Sequence, residues 1–383
     1  MSKRVFFFCV MLVLTAGFAA LLSELTIRLL FPCEREQSLS KFEARQRYKY
    51  RLRPNLDLSF KFAGRMVTLK TNENGLREPQ SVQYDRALKE FRVVFLGDSY
   101  TKGLGLNEDE TFVKVTETIL KESIPCVRTI NMGVGGFGPS LELLYYLEEG
   151  RRYKPDVVLI QVCTVNDVSD DARDQRFELC DGNLVERPLA ISSLKLMTDF
   201  RLYQWFLDRS HLVQRIRLVM LPILYGRDLE RGEEPIISES TFAKASLLTD
   251  AVWRRMVTDV RADGAIPVFL AIGGPELFPD QARPADRVPW KGRKPDFLKR
   301  STQASEQTLA ILRNLCLQME VPCIDAVTGL RAAFADINEA FIDGDNHLSP
   351  AGSEVVARQV SDTIERLYKM NTPVLEARGT ACR

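Results

Sequence analysis

The sequence predicts an α/β fold: a parallel β-sheet covered on both faces by helices, with a transmembrane helix in front of it. Three observations predict this. Short, unbroken apolar runs alternate with helix-like stretches from residue 91 to residue 368, which is how strands buried on both faces of a parallel sheet read. Residues able to carry chemistry fall directly after several of those runs. The first thirty residues hold a charge-free stretch of membrane length.

The N-terminus comes first. After Lys3 and Arg4, the run from Val5 to Leu22 carries no charge, and apolar character resumes at Leu25 and continues to Leu30. A helix crossing the hydrocarbon core needs roughly 20 such residues. Basic residues ahead of the span keep the N-terminus in the cytoplasm and export the remainder, to the periplasmic or extracellular side. A cleaved signal peptide has a shorter apolar region and a small-residue site, for which Gly17-Phe18-Ala19 is the candidate. The length of the run and its continuation to Leu30 favour an uncleaved anchor over residues 1–30.

Residues 31–90 read as a linker and an irregular region, polar and interrupted by Pro32, Pro54 and Pro79. Within it "YKYRLRPNLDLSF" predicts at most a short hairpin. Regular alternation starts with "FRVVFL" (91–96), a buried-strand signal ending in Gly97-Asp98-Ser99. A helix over "ETFVKVTETILKES" follows, then strand "VRTIN" (127–131), the glycine-rich turn "MGVGGFG" and a helical "SLELLYYLEEGRR". The run "DVVLIQV" (156–162) is a third strand and ends in "CTVND".

Alternation pauses over about 170–240 and resumes with a helix from Phe242 to Arg261 and a strand "IPVFLAI" (266–272). A helix over 301–319, a short strand in "PCIDAV" and a final helix from Pro350 to Tyr368 complete the domain. Its bounds are 91–370, with a tail at 371–383. The insert holds "DFRLYQWFLDRSHLVQRIRLVM", which mixes Phe200, Trp205, Phe206, Val213 and Ile216 with Arg201, Arg209, Arg215 and Arg217. Three readings fit it: a helix packed on the domain, a lid, or an interfacial helix, because basic and aromatic faces suit lipid headgroups.

Composition narrows the function. Apolar residues make up 45% of the 383, as in a globular chain, and a formal net charge of +1 is no field for neutralising phosphates, so nucleic acid is not an expected partner. Eight cysteines match no zinc spacing, and with only two histidines neither a metal site nor a cofactor is expected. Cys9 lies in the span. Cys316 and Cys323 flank a helix-to-strand turn and are placed to pair if the domain is exported. Cys163 reads as a small buried hydrophobe.

In open parallel sheets, ligands bind at the carboxyl ends of strands. Ser99 follows the first strand, Gly136 the second, Asn166 the third, and His347 the last strand-like segment, "FIDGDNHLSPAG". Alone, each has a plain reading as a turn, a glycine turn, a helix cap or a solvated side chain. Four at one edge of one sheet are hard to assign to accident.

The blocks "VVFLGDSYTKG", "NMGVGGFG", "TVND" and "DGDNHLSPAG" occur in that order, and over residues 91–369 the chain resembles the SGNH (GDSL-like) hydrolase superfamily, of a membrane-anchored bacterial type. The resemblance implies a flavodoxin-like, three-layer α/β/α sandwich and ester hydrolysis or acyl transfer through a serine nucleophile. By position Ser99 matches the nucleophile, Gly136 and Asn166 the oxyanion-hole residues, and His347 the base. Two departures stand out. The family's carboxylate commonly precedes the histidine by three residues, where this chain has Gly344. Asp345 stands two before and is favoured, with Asp343, four before, as the alternative. The third block carries Thr164 where the family has glycine. Tyr100 stands at a variable position, where the motif has leucine.

The chemistry asks for these residue types in any case. A serine hydroxyl is a poor nucleophile until an imidazole takes its proton, and a carboxylate fixes the imidazole's tautomer. The oxyanion needs preorganised donors, here the Ser99 and Gly136 N–H groups with the Asn166 amide; losing one typically costs about 3 kcal/mol. His211 lies in the insert, which leaves His347 as the base. The expected activity is a serine esterase or acylhydrolase acting on a small ester, a glycan or a lipid. An O-acyltransferase on the same triad and a noncatalytic glycan-binding protein on the same fold are the alternatives.

Overall fold

A computed structural model describes residues 3–31, 42–45, 47–78, 80–86, 89–188, 205–206, 209–225, 237–278 and 295–377. In chain order its elements begin with α1 (Lys3–Leu30), β1 (Phe42–Arg45), β2 (Lys49–Leu52), β3 (Asp57–Phe62), β4 (Arg65–Lys70), β5 (Phe91–Leu96), α2 (Ser99–Lys102), α3 (Phe112–Leu120), β6 (Val127–Asn131) and α4 (Pro139–Glu148). There follow β7 (Val157–Cys163), α5 (Asp167–Asp174), β8 (Phe177–Cys180), β9 (Asn183–Glu186), α6 (His211–Tyr225) and α7 (Glu239–Ala262). The chain closes with β10 (Ile266–Ile272), α8 (Pro295–Met319), β11 (Cys323–Asp325), α9 (Ala326–Ala333) and α10 (Pro350–Ala377). It divides into two compact units, Met1–Ala44 with Ile191–Glu234 and Arg45–Ala190 with Pro235–Arg383.

The larger unit is built on five parallel strands in the order β11-β10-β7-β5-β6. Every residue of β5 and β7 is buried, and all but the first of β10. Successive strand side chains point to opposite faces, so this burial requires a helix layer on each side. One layer joins α3, α9 and α10, and the other joins α4, α5, α7 and α8. The fold is the expected three-layer α/β/α sandwich, and the strand runs read from the sequence are its strands. Local signals set the helix starts: the Thr111, Ser238 and Asp325 side chains accept from the first turns of α3, α7 and α9, and Pro139 opens α4.

Three parts differ from the sequence reading. The region expected to be irregular carries an antiparallel hairpin of β3 and β4, paired from Asp57↔Lys70 to Phe62↔Arg65. Its turn, Ala63-Gly64, has φ of 45° and 82°, the left-handed pair that a two-residue hairpin requires. Phe60, Val67 and Leu69 on it are buried. Within the insert, β8 and β9 form a second hairpin, turned at Asp181-Gly182 with φ of 49° and 79°. Finally, α10 runs past Tyr368 through Pro373 to Ala377, with Leu375 buried. Of the calls made on the insert and the tail, Phe200, Arg201 and residues 378–383 lie outside the described residues.

In the smaller unit, α1 has a mean hydropathy of 2.6 over its most apolar window and is the one helix among the described residues long and apolar enough to cross a membrane. The N-terminus of α6 meets the end of α1. The Glu24 carboxylate accepts from Ser210 Oγ at 2.8 Å, the His211 N–H at 3.0 Å and the Leu212 N–H at 2.8 Å. Elsewhere, Cys126 is disulfide-bonded. Cys316 and Cys323 are free thiols hydrogen-bonded to each other, a contact that, with burial, pushes the Cys316 thiol up.

Candidate active site

Ser99 stands where β5 ends. Strand β5 lies between β7 and β6, so the loops leaving those two strands flank the serine. The turn is tight: a Cβ on Gly97 would come within 2.2 Å of Thr101 Oγ1 and 2.5 Å of Gln161 Oε1, so only glycine fits. The buried Asp98 caps α2 by accepting from the Tyr100 N–H at 2.9 Å. Gln161 Oε1, from the neighbouring β7, accepts from the Asp98 N–H at 3.1 Å and from Thr101 Oγ1 at 3.0 Å. Gly103, with φ of 77°, ends this one-turn helix. The buried Arg77 guanidinium donates to the carbonyls of Lys102, Gly103 and Leu106 and so ties this turn to the segment after β4.

Across from it, His347 Nε2 lies 2.7 Å from Ser99 Oγ, and His347 Nδ1 lies 2.5 Å from Asp345 Oδ1. The same Asp345 oxygen accepts from the His347 N–H at 2.8 Å. The loop carrying them is not a sheet strand. An isolated antiparallel bridge between Phe341 and Leu348 closes it, with the Ile342 N–H donating to the His347 carbonyl at 2.9 Å. Gly344, with φ of 74°, makes the bend, so the residue at the family's usual carboxylate position serves the turn. Asp343 is exposed, and no hydrogen bond joins it to His347. Burial pushes the Asp345 carboxyl up, but the hydrogen bond and charge of His347 and the His347 and Asn346 N–H groups outweigh it, leaving the group below its ordinary value.

Tyr100 holds this loop to the serine's own helix. Its hydroxyl donates to the Asn346 carbonyl at 2.7 Å, and its ring lies 5.0 Å from the His347 ring at an interplanar angle of 38°. It is 4% exposed, and burial raises the phenol well above its usual pKa. A position read as variable in the sequence thus touches the imidazole.

Gly136 and Asn166 lie on the two flanking loops. Gly136 is exposed with φ of 81°, and a Cβ there would meet Tyr50 Oη at 2.9 Å. The Tyr50 hydroxyl donates to the adjacent Gly135 carbonyl at 3.1 Å. A Cβ on Gly135 would lie 3.8 Å from Ser99 Cβ and 3.5 Å from Lys102 Nζ, so this loop runs close beside the serine. Asn166 precedes α5, and its side chain does not cap that helix. Thr164 is buried and donates from its N–H to the Ile272 carbonyl at 3.1 Å, continuing the β7–β10 pairing. Its φ is not positive, so the backbone there does not need glycine.

Behind the loops lies a set of buried acids. Burial raises Asp98, and it raises Glu142 and Asp167 well above the carboxylate range, helped by their mutual repulsion. Burial also pushes Asp171 up to about 6, although it accepts from the Ser140 N–H at 2.8 Å and Thr249 Oγ1 at 2.7 Å. Among the described residues no cluster of histidine, cysteine and carboxylates could hold a metal ion. The arrangement offers a hydroxyl, an imidazole able to take its proton and a carboxylate that orients the imidazole, the parts of nucleophilic acyl chemistry. Sequence reasoning missed Tyr100, Gln161, Arg77 and Tyr50. One signal was present: Gln161 is a polar residue inside an otherwise apolar strand run.

Several solved structures are similar to this chain. A putative lipolytic protein of the G-D-S-L family from Desulfitobacterium hafniense is 13% identical, with 71% of this chain and 99% of that one covered at a TM-score of 0.38. The lipase/acylhydrolase from Enterococcus faecalis is 13% identical, covering 72% and 95% at 0.39. A catalytic mutant of an acetylxylan esterase from Geobacillus stearothermophilus is 14% identical, covering 72% and 94% at 0.39. No curated protein matches. The sequence profile of the GDSL-like lipase/acylhydrolase family matches residues 95–355. That stretch runs from within β5 into α10 and takes in more than half of the chain, so the protein belongs to the GDSL-like lipase/acylhydrolase family, hydrolases acting on ester bonds.

Proposed function

We propose that the protein is a membrane-anchored, exported serine esterase that cleaves an acyl or acetyl ester of an envelope glycan or lipid. One observation carries the reading: the hydrogen-bonded chain from Ser99 Oγ through His347 to Asp345. Ser99 Oγ attacks the ester carbonyl as its proton passes to His347 Nε2. The Ser99 and Gly136 N–H groups and the Asn166 amide receive the tetrahedral oxyanion. Collapse expels the alcohol, which takes the proton from His347 and leaves an acyl-serine. Water then attacks the acyl carbon, giving its proton to His347; the acid departs and Ser99 recovers its proton. Asp345 keeps Nδ1 protonated and stabilises the imidazolium throughout. Export agrees with Lys3 and Arg4 opening α1 ahead of its apolar run and with a disulfide-bonded Cys126.

The test is turnover of p-nitrophenyl acetate and longer-chain esters by the full-length protein in detergent. Ser99→Ala and His347→Ala each abolish turnover and leave the melting temperature within a few degrees, because both side chains are only half-buried at the sheet edge. Wild-type turnover in either variant overturns the assignment. With a sugar acceptor added, the expected product is still the free acid rather than a transferred acyl group.

A further inference from the structure

We infer that α6, with the Trp205-Phe206 pair ahead of it, is a second membrane contact, lying in the headgroup layer on an anionic lipid surface at the far end of α1. The inference rests on the reading of α1 as the anchor. At 1.5 Å per residue, a core of about 30 Å takes up about 20 residues. Counted from Val5, behind Lys3 and Arg4, that length ends at Glu24. A carboxylate is costly within hydrocarbon but not at its boundary.

Glu24 is also what α6 docks on, through Ser210 Oγ and the His211 and Leu212 N–H groups. Arg28, one turn further along α1, donates to Glu24 at 3.1 Å and to the Arg209 carbonyl at 2.7 Å. One turn into α6, Arg215 donates to the Phe31 carbonyl at 3.1 Å. The start of α6 is therefore fixed at the depth where α1 leaves the hydrocarbon.

The direction of α6 follows from exposure. Every residue of α1 from Lys3 to Ser23 is exposed, and only Glu24 and Ile27 are half-buried. A helix running back along α1 through the bilayer would cover that face, and α6 does not. Instead, Ile216, Val219 and Met220 stand exposed at i, i+3 and i+4 spacing, one apolar stripe. Trp205 and Phe206 are exposed too and pack edge-on at 5.1 Å, with the Arg209 guanidinium 5.0 Å from the Trp205 ring. An apolar stripe, an aromatic pair and arginines at the end of a membrane helix are the chemistry of the lipid interface. The charges of Arg209 and Arg215 favour anionic headgroups over zwitterionic ones.

The experiment reconstitutes the full-length protein in phosphatidylglycerol-containing vesicles whose lipids are brominated either near the glycerol or near the chain end. The readout is quenching of tryptophan emission. Shallow bromines are expected to quench a component that Trp205→Phe removes, and Ile216→Ser with Val219→Ser should lower that quenching at least twofold. Quenching left unchanged by Trp205→Phe, or produced only by chain-end bromines, overturns the inference, and so does an unaltered signal in the double variant. Alkaline carbonate extraction of the same vesicles reads α1 separately. Release of the protein overturns the anchor and the inference together, whereas retention with an unquenched Trp205 overturns α6 alone.

Discussion

Asp345 and Asp343 sit two and four residues before His347, and their different environments make different predictions. Asp345 meets both the ring and the backbone N–H of His347, while Asp343 is exposed with no hydrogen bond to that residue. Losing an orienting carboxylate leaves the imidazole in the wrong tautomer, at a cost of about 10⁴ in turnover for a Ser-His-Asp enzyme. Asp345→Asn should therefore depress kcat on p-nitrophenyl acetate by orders of magnitude. Asp343→Asn should stay within about 0.5 kcal/mol of wild type in stability, as an exposed substitution does, and near it in kcat. The reverse ranking moves the role to Asp343, and two near-neutral variants mean that a Ser-His dyad suffices. Tyr100→Phe removes one hydrogen bond to the histidine loop, worth about 1 kcal/mol. A fall of several-fold in kcat, with KM little changed, is the expected reading.

Among the elements, the hairpin of β3 and β4 and the segment after it matter more to the site than their sequence suggests. Arg77 reaches from that segment to three carbonyls around the Ser99 turn. Removing the guanidinium strands buried acceptors, and a charged donor's hydrogen bonds are worth roughly 1.5–3 kcal/mol. Arg77→Met should lower unfolding free energy by about 3 kcal/mol or more in denaturant titration. For the same reason, a fragment beginning at residue 91 should fail to give a cooperative transition, whereas one beginning near residue 45 should give one. Equal stability of the two fragments would show that the hairpin region is dispensable. The hairpin was hard to read in sequence because its strands are half-exposed and only Phe60, Val67 and Leu69 mark the buried face.

For the whole molecule, the buried acids set how stability depends on pH. Asp171 has a folded pKa of about 6 against an ordinary 3.8, so the folded state holds a proton that the unfolded chain has released. Its contribution is fully present below about pH 4 and is lost as pH rises through 6, a change on the order of 3 kcal/mol. Asp98, Glu142 and Asp167, also raised, act in the same direction. Asp345 is lowered and acts oppositely, its contribution present above its unfolded value and lost on acidification. Unfolding free energy should therefore fall between pH 4 and 7, and Asp171→Asn should flatten part of that slope. Denaturant titrations across this range that show stability rising with pH would refute the account.

Composition and block order specify the sheet and the edge where the candidate site residues fall. Strands buried on both faces must be runs of apolar residues, and FRVVFL, DVVLIQV and IPVFLAI carry that requirement in their composition. The order of the blocks then puts Ser99, Gly136 and Asn166 just past strand ends, where chain connectivity alone locates them, whereas His347 lies in a loop closed by an isolated bridge rather than after a sheet strand. The apolar length of α1 is likewise a property of composition. Tertiary structure decided which aspartate faces the imidazole, because two aspartates in one loop differ only in where the bend at Gly344 turns them. It also decided what holds the loops: Tyr100 meets Asn346 across 246 residues of chain, and Arg77 meets carbonyls beyond β5. Contacts that distant depend on the packing of elements past one another, which no local pattern of residues records.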